Sequence, residues 1–126
     1  MTEKMKIIDF LRENQLDAIF VQKDENCRYL SKFTGSDSYL LLTKEELYLL
    51  TDSRYTEQAR KESADYTVVD YKGHLAEIVA KLAGEYHIKT MGVETVFSYQ
   101  MYLSFHEYMP NIEFRFSQID RLRQIK

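Results

Sequence analysis

The residues with the clearest capacity for chemistry are the D-S-R-Y stretch at residues 52–55, directly after an apolar run. Arg54 is expected where a strand ends and a helix begins, and α/β sheets often bind ligands at strand ends. A guanidinium group there can hold a carboxylate or peptide carbonyl in a fixed geometry, with Asp52 and Tyr55 as polar neighbours. The alternative is that Asp52 only caps the helix and that Arg54 pairs at the surface with Asp52 or Glu57. The sequence alone favours this alternative.

Other catalytic patterns are missing from the sequence. His74, His87 and His106 are far apart and belong to no H-E-x-x-H or cysteine-paired motif. No serine lies in a G-x-S-x-G elbow, and the glycines do not have the spacing of a phosphate loop. Cys27 is the only cysteine, and its apolar neighbours in an expected helix are typical of a buried small hydrophobe. We therefore expect no catalytic residue and no metal site in this chain.

The composition is that of an ordinary globular domain, with 44% hydrophobic and 29% charged residues in a chain of 126. A net charge of −3 gives no electrostatic reason to bind nucleic acid. Charges interrupt the apolar residues of the first segment, and no apolar stretch reaches the roughly 18 residues of a membrane span. A lone cysteine favours a reducing compartment. We expect a cytoplasmic protein that binds neither nucleic acid nor membrane.

Hydrophobic periodicity predicts alternating helices and strands. Helices are expected over residues 3–14, from Asp24 to an end at Gly35, after Asp52, from Leu75 to an end at Gly84, and between Ser98 and Pro110. Strands are expected at 17–21, 39–42, 47–50, 66–71, 91–94 and 112–116.

Two of these strands, 39–42 and 47–50, are separated by four residues and read as an antiparallel hairpin. In the last strand Ile112, Phe114 and Phe116 alternate with charged residues, so one face is expected to be buried. Helices alternating with strands predict the α/β class, here a mixed sheet of about six strands flanked by helices.

Two segments, in order, carry a resemblance to a known family. Residues 26–36 read N-C-R-Y-L-S-K-F-T-G-S and residues 51–59 read T-D-S-R-Y-T-E-Q-A. They are similar to the patterns N-x-x-Y-L-[ST]-x-F-x-G-S and T-D-x-R-Y-x-E-Q-A of the N-terminal domain in the Xaa-Pro aminopeptidase, prolidase and creatinase family. The tail D-R-L-R-Q-I-K at 120–126 also resembles the family's junction with its catalytic domain. The second segment resembles the peptidases more than creatinase.

The resemblance implies that residues 1–126 form a single N-terminal, non-catalytic domain of an enzyme that removes the residue preceding proline or hydrolyses Xaa-Pro dipeptides. A pita-bread catalytic domain, holding two divalent metal ions that are usually manganese, would follow Lys126. The implied partners are that domain, neighbouring protomers in a dimer or higher oligomer, and proline-containing peptides. Phe33, Arg54 and Tyr55 are the residues that the resemblance places near a substrate pocket.

The alternative hypothesis is a free-standing binding or regulatory module with the same fold, because a fold does not determine a function. The aromatic residues of the fifth helix bear on this question. Exposure of Tyr99, Tyr102 and Tyr108 would indicate an interface, whereas burial would make them part of the core.

Overall fold

Six strands form one sheet between two layers of helices in the computed structural model, which describes residues 2–123. The strands are β1 Ala18–Val21, β2 Tyr39–Thr43, β3 Leu47–Thr51, β4 Thr67–Asp70, β5 Thr90–Val93 and β6 Glu113–Phe116. The helices are α1 Glu3–Glu13, α2 Asp24–Ser31, α3 Thr56–Glu62, α4 Leu75–Glu85 and α5 Tyr99–Tyr108, with short 3-10 helices at Ser53–Tyr55 and Ile119–Arg123. The predicted class, strand number and order of elements are confirmed.

The sheet is mixed, with strand order β4-β3-β2-β1-β5-β6. The hairpin strand β2 is antiparallel to both β1 and β3, whereas the pairs β1–β5, β3–β4 and β5–β6 are parallel. Every strand except β2 therefore ends at the same edge of the sheet. We call this edge the carboxyl edge, and in open α/β sheets it is where ligands are commonly bound.

Both faces of the sheet are covered, which explains the uninterrupted apolar runs of the central strands. Helices α1, α2 and α3 and the last 3-10 helix cover one face, where Ile19 and Val21 point. Helices α4 and α5 cover the other face, where Ala18 and Phe20 point. All four residues of β1 are fully buried, so this strand is the centre of two hydrophobic cores.

Local side-chain hydrogen bonds set the starts of several helices. Thr2 Oγ1 accepts from the N–H of Met5 at 3.1 Å, and Ser98 Oγ accepts from the N–H of Met101 at 3.0 Å. These hydroxyls occupy N-cap positions and satisfy N–H groups that have no partner within the helix. The predicted starts of α1 and α5 are confirmed.

The predicted end of α2 at Gly35 is wrong. The helix ends at Ser31, and Lys32 takes the left-handed conformation at φ 68°. Gly35 is needed for another reason, because a Cβ at this position would lie 2.4 Å from Cζ of Phe33. The glycine thus leaves room for an aromatic ring to lie against the backbone.

The expected burial at the β6 side of the molecule is also partly wrong. Phe116 is 71% exposed. The physical reason is topological: β6 is the last strand of the sheet, so within residues 2–123 no further strand lies beyond it. Tyr108, at the end of α5 beside α4, is 50% exposed. Tyr99 is 74% exposed and Tyr102 is half-buried, which favours the interface interpretation of this helix over the core interpretation.

Two glycines offer a matched test of this packing. A Cβ on Gly92, in β5, would lie 2.7 Å from Leu16 Cδ1 and 2.8 Å from Ser117 Oγ, whereas a Cβ on Gly84, within α4, would meet nothing within 4 Å. We expect Gly92→Ala to lower the free energy of unfolding by about 1–3 kcal/mol through overpacking. Gly84→Ala should raise it by up to about 1 kcal/mol, because alanine favours the helix. Urea denaturation measures both, and equal effects would contradict this account.

Candidate functional site

The two motif segments meet on the face of the sheet that α2 and α3 cover. Thr34, in the loop after α2, donates from its N–H and its hydroxyl to Glu62 Oε1 on α3, at 2.8 and 2.9 Å. Gln58 Nε2 donates to Thr34 Oγ1 at 3.2 Å. The N–H of Thr34 holds the pKa of the Glu62 carboxyl below its usual value. These bonds tie the loop of the first segment to the helix of the second.

Two aromatic rings join the same segments beneath this surface. The rings of Phe33 and Tyr55 meet edge to face, with centroids 6.4 Å apart. Phe33 is only 1% exposed, so it belongs to the core, while Tyr55 is half-buried. The Phe33 side chain is therefore not exposed, and its ring packs against the ring of Tyr55.

Arg54 is the most accessible of the three predicted site residues, with 66% of its side chain exposed. Its Nε donates to Asp52 Oδ1 at 3.0 Å, and its backbone N–H donates to the same oxygen at 2.9 Å. The guanidinium carbon lies 5.2 Å from the centre of the Tyr55 ring, a cation–π distance. The backbone N–H and the guanidinium lower the pKa of the Asp52 carboxyl. Asp52 thus acts both as a cap and as the partner that orients Arg54.

A buried polar network, which sequence analysis did not predict, lies elsewhere on the carboxyl edge. Glu94 follows β5, is 4% exposed, and accepts from the backbone N–H groups of Gln22 and Lys23 at 2.6 and 2.9 Å. Asn26 Nδ2 donates to Glu94 Oε2 at 2.5 Å and to Asp120 Oδ1 at 2.8 Å. Lys23 Nζ donates to Asp120 Oδ2 at 3.1 Å.

This network fixes the start of α2 and attaches the last 3-10 helix to it. The N-cap position of α2 is Lys23, which has no side-chain cap bond. The Glu94 carboxylate accepts from the backbone N–H groups of Lys23 and of Gln22 before it, and places negative charge at the positive end of the helix. Asn26 and Lys23 together lower the pKa of Asp120. Asn26 and Asp120 each stand at the start of a segment that carries the resemblance, but no pattern in the sequence indicates that they touch.

The cysteine and the three histidines differ in their burial. Cys27 is buried, its thiol faces the carbonyl oxygens of Val21 and Ser38, and burial raises its pKa; the prediction of a buried small hydrophobe is confirmed. The three histidines are exposed. Between residues 2 and 123, no group of three or more His, Cys, Asp or Glu residues could hold a metal ion. In the same part of the chain, no helix is long and apolar enough to cross a membrane.

A mixed six-stranded sheet, with two motif segments joined on one of its helical faces, defines an α/β domain of the kind found in Xaa-Pro peptidases. The family model described as Creatinase/Prolidase N-terminal domain matches residues 5–125, and the chain belongs to this family. The resemblance stated from the sequence is confirmed.

Two curated relatives support this assignment. The protein named Uncharacterized peptidase YqhT from Bacillus subtilis is 29% identical over 118 residues, which are 88% of this chain and 32% of the relative. An Xaa-Pro dipeptidase from Pyrococcus horikoshii is 33% identical over 101 residues, which are 79% of this chain and 27% of the relative. The chain thus spans about a third or less of the length of these relatives.

Solved structures show the same fold. An Xaa-Pro dipeptidase from Bacillus anthracis superposes with a TM-score of 0.89 at 29% identity, covering 98% of this chain and 36% of that one. The N-terminal domain of the cytoplasmic peptidase PepQ from Mycobacterium tuberculosis gives a TM-score of 0.85 at 26% identity. That superposition covers 96% of this chain and 98% of the other, so the chain corresponds to a domain described there by itself.

The amide of Asn26 is the centre of the Glu94 network. We expect Asn26→Ala to lower the free energy of unfolding by roughly 1–3 kcal/mol, because the buried Glu94 carboxylate loses a donor. The measurement is urea denaturation at neutral pH. Asn14→Ala, at the end of α1, is the matched control, since its amide bonds only to the carbonyl oxygen of Phe10. A loss for Asn26→Ala no larger than that of the control would contradict this role.

The lowered pKa of Asp120 predicts how this contact depends on pH. Its stabilisation is fully present above the ordinary carboxyl pKa of about 4 and is lost as pH falls through the lowered folded-state value. We expect the stability difference between the wild type and Asp120→Asn to shrink on acidification from pH 7 to pH 2. Asp9→Asn, on the exposed side of α1, serves as the control. A difference that stays constant over this range would contradict the assignment.

Proposed function

We propose that this chain is the N-terminal, non-catalytic domain of a metal-dependent Xaa-Pro peptidase. The enzyme would remove the residue preceding proline or hydrolyse Xaa-Pro dipeptides. The observation that carries the proposal is the family match over residues 5–125, combined with relatives about three times as long, one of them an Xaa-Pro dipeptidase. Proline-containing peptides would be the substrates of the whole enzyme.

In this proposal the chemistry belongs to a catalytic domain that follows Lys126. Two divalent metal ions, most simply manganese, would be held there and would activate a water molecule for attack on the peptide bond. This chain would supply no metal ligand. A cytoplasmic location is part of the proposal and is supported by the similarity to a domain of a cytoplasmic peptidase.

The part proposed for this chain is to cover the active site and to take part in assembly. Arg54 follows β3 at the carboxyl edge, and Asp120, in the last 3-10 helix, reaches Asn26 and Lys23 at the same edge. A following domain would therefore start from the edge that carries the exposed guanidinium. Oriented by Asp52 and Tyr55, that group can donate to a substrate carboxylate or carbonyl. A cover of this kind excludes water and limits substrate length.

The test is manganese-dependent cleavage of a short Xaa-Pro peptide by this chain and by the full-length product of the reading frame that contains it. We expect only the longer product to cleave. Arg54→Ala in that product should lower kcat/KM by about tenfold to a hundredfold, the effect of losing a hydrogen bond from a charged group. Arg60→Ala, at an exposed position on the neighbouring α3, should leave kcat/KM unchanged.

Three outcomes would overturn parts or all of this proposal. Cleavage by the 126-residue chain alone would remove the division between a covering domain and a catalytic domain. Equal effects of the Arg54 and Arg60 substitutions would remove the role of Arg54 in substrate binding. If neither product cleaves, the hypothesis of a free-standing binding module replaces the peptidase hypothesis.

A further inference from the structure

A pocket of about 400 Å³ opens at the edge of the sheet opposite to the carboxyl edge. Its walls come from the start of α1, the end of α2 and the residues that follow α3. Leu47, which begins β3, and Tyr66, which directly precedes β4, also line it. A volume of this size is large enough to hold a small organic molecule.

Two buried polar atoms that line this pocket are unpaired. The hydroxyl oxygen of Tyr66 and Oε2 of Glu3 are shielded from solvent, and neither has a hydrogen-bond partner within residues 2–123. Burial, and after it the Glu3 carboxylate, raise the pKa of the Tyr66 hydroxyl, so this group is uncharged at neutral pH. A buried polar atom without a partner costs free energy. A ligand that hydrogen-bonds to both atoms would remove this cost.

Two buried serines in the wall of the pocket are fully engaged. Ser63 Oγ donates to the carbonyl oxygen of Ser31 at 2.6 Å, and Ser31 Oγ donates to that of Cys27 at 2.6 Å. Both serines are buried, and their bonds fasten the end of α2 to the end of α3. Glu3 and Tyr66 are therefore exceptions in a wall whose other buried hydroxyls are paired.

The two lysines that line the pocket are turned to main-chain acceptors. Lys4 Nζ donates to the carbonyl oxygen of Glu45 at 3.3 Å. Lys32 Nζ donates to the carbonyl oxygen of Tyr29 at 3.0 Å and lies 5.0 Å from the centre of the Tyr29 ring. Their positive charges are thus partly compensated outside the pocket, which leaves little to attract an anionic ligand.

Acidic groups give the pocket a preference for a cation. Glu3 Oε1 lies 3.5 Å from Lys6 Nζ, and this pair leaves the acceptor capacity of Oε2 unused. Glu62 and Asp65 also line the pocket, and the C-terminal end of α2 adds a partial negative charge. An ammonium group carries the complementary charge and three donors, and a tyrosine hydroxyl oxygen accepts as well as donates.

Apolar side chains form the rest of the wall and determine what the cation must be attached to. Leu30 and Leu47 line the pocket and are each only 3% exposed, because they also belong to the hydrophobic core beneath it. An apolar group placed against them is removed from water, which favours binding in proportion to the area covered. Water or an inorganic cation alone would not use this surface.

We propose that this pocket binds a primary amine carried on an apolar body. The ammonium group donates to Glu3 Oε2 and to the hydroxyl oxygen of Tyr66, and the apolar body lies against Leu30 and Leu47. A free amine and the N-terminal ammonium of a peptide share this chemistry. Binding here does not depend on the proposed peptidase function, because the pocket and Arg54 lie at opposite ends of β3. Either proposal can fail while the other stands.

The test is an NMR titration of the ¹⁵N-labelled chain with 2-phenylethylamine at pH 7. We expect saturable shifts of the amide signals of Glu3 and of residues 62–66, with a dissociation constant of about a millimolar, which is ordinary for so small a ligand. Phenylacetate, which carries a carboxylate on the same ring, should not bind. Phenylalaninamide distinguishes the two sources of the amine. Tighter binding than 2-phenylethylamine assigns the pocket to peptide N-termini, and weaker binding assigns it to free amines.

Two conservative variants locate the ammonium group. Glu3→Gln should raise the dissociation constant for 2-phenylethylamine by about tenfold or more, because a hydrogen bond to a charged group is lost. Tyr66→Phe keeps the ring and should raise it by about threefold or more, without lowering the stability to urea, since the hydroxyl that it removes has no partner in residues 2–123. Glu57→Gln on α3 and Tyr108→Phe on α5 are matched controls at exposed positions and should bind like the wild type.

Three outcomes would overturn the proposal. The first is the absence of saturable shifts with 2-phenylethylamine up to about ten millimolar, where even weak binding is detected. The second is equal binding of phenylacetate, which would show that the ammonium group is not recognised. The third is an unchanged dissociation constant in both Glu3→Gln and Tyr66→Phe, which would place the ligand elsewhere.

Discussion

The burial of β1 on both faces is the constraint on which the rest of the structure depends. All four of its residues are fully buried, and it pairs antiparallel with β2 and parallel with β5. A strand of this kind needs a helical layer on each side, because neither face can be left to water. The chain meets this need with α1, α2 and α3 on one side and with α4 and α5 on the other.

Polar groups that follow the central strands hold the next segments of the chain in place. The backbone after β1 and the start of α2 are held by Glu94, which follows β5. The same network reaches Asp120 through Asn26 and Lys23, so the last described segment is attached to the centre of the sheet. A carboxylate this deeply buried is stable only because several donors converge on it. Hydrogen bonds therefore hold the last described segment at the carboxyl edge.

Two exposed surfaces of the domain differ in chemistry as well as position. At the carboxyl edge, Arg54 is a charged group that Asp52 and Tyr55 orient while most of its side chain stays in solvent. At the β6 side, the exposed groups are aromatic rings and unpaired backbone. The first arrangement suits recognition of a small polar ligand, and the second suits contact with another protein. A domain that covers an active site and also assembles would need both.

Local chemistry explains what the sequence by itself determined. The β2–β3 hairpin, the caps at Thr2, Asp52 and Ser98, and the order of helices and strands follow from residues within a few positions of one another. The family followed from two motifs in order. The role of Gly35 was not predictable, because it depends on where the ring of Phe33 folds back.

Only the tertiary structure decided the contacts between distant parts of the chain. Asn26 meets Glu94 and Asp120 across 68 and 94 residues, and the exposure of Phe116 follows from the place of β6 in the strand order. Hydrophobic periodicity indicates which side of a helix or strand is apolar, but it does not indicate which helices and strands become neighbours. That choice depends on how all the layers pack together, so the buried network and the free outer strand became visible only in the folded chain.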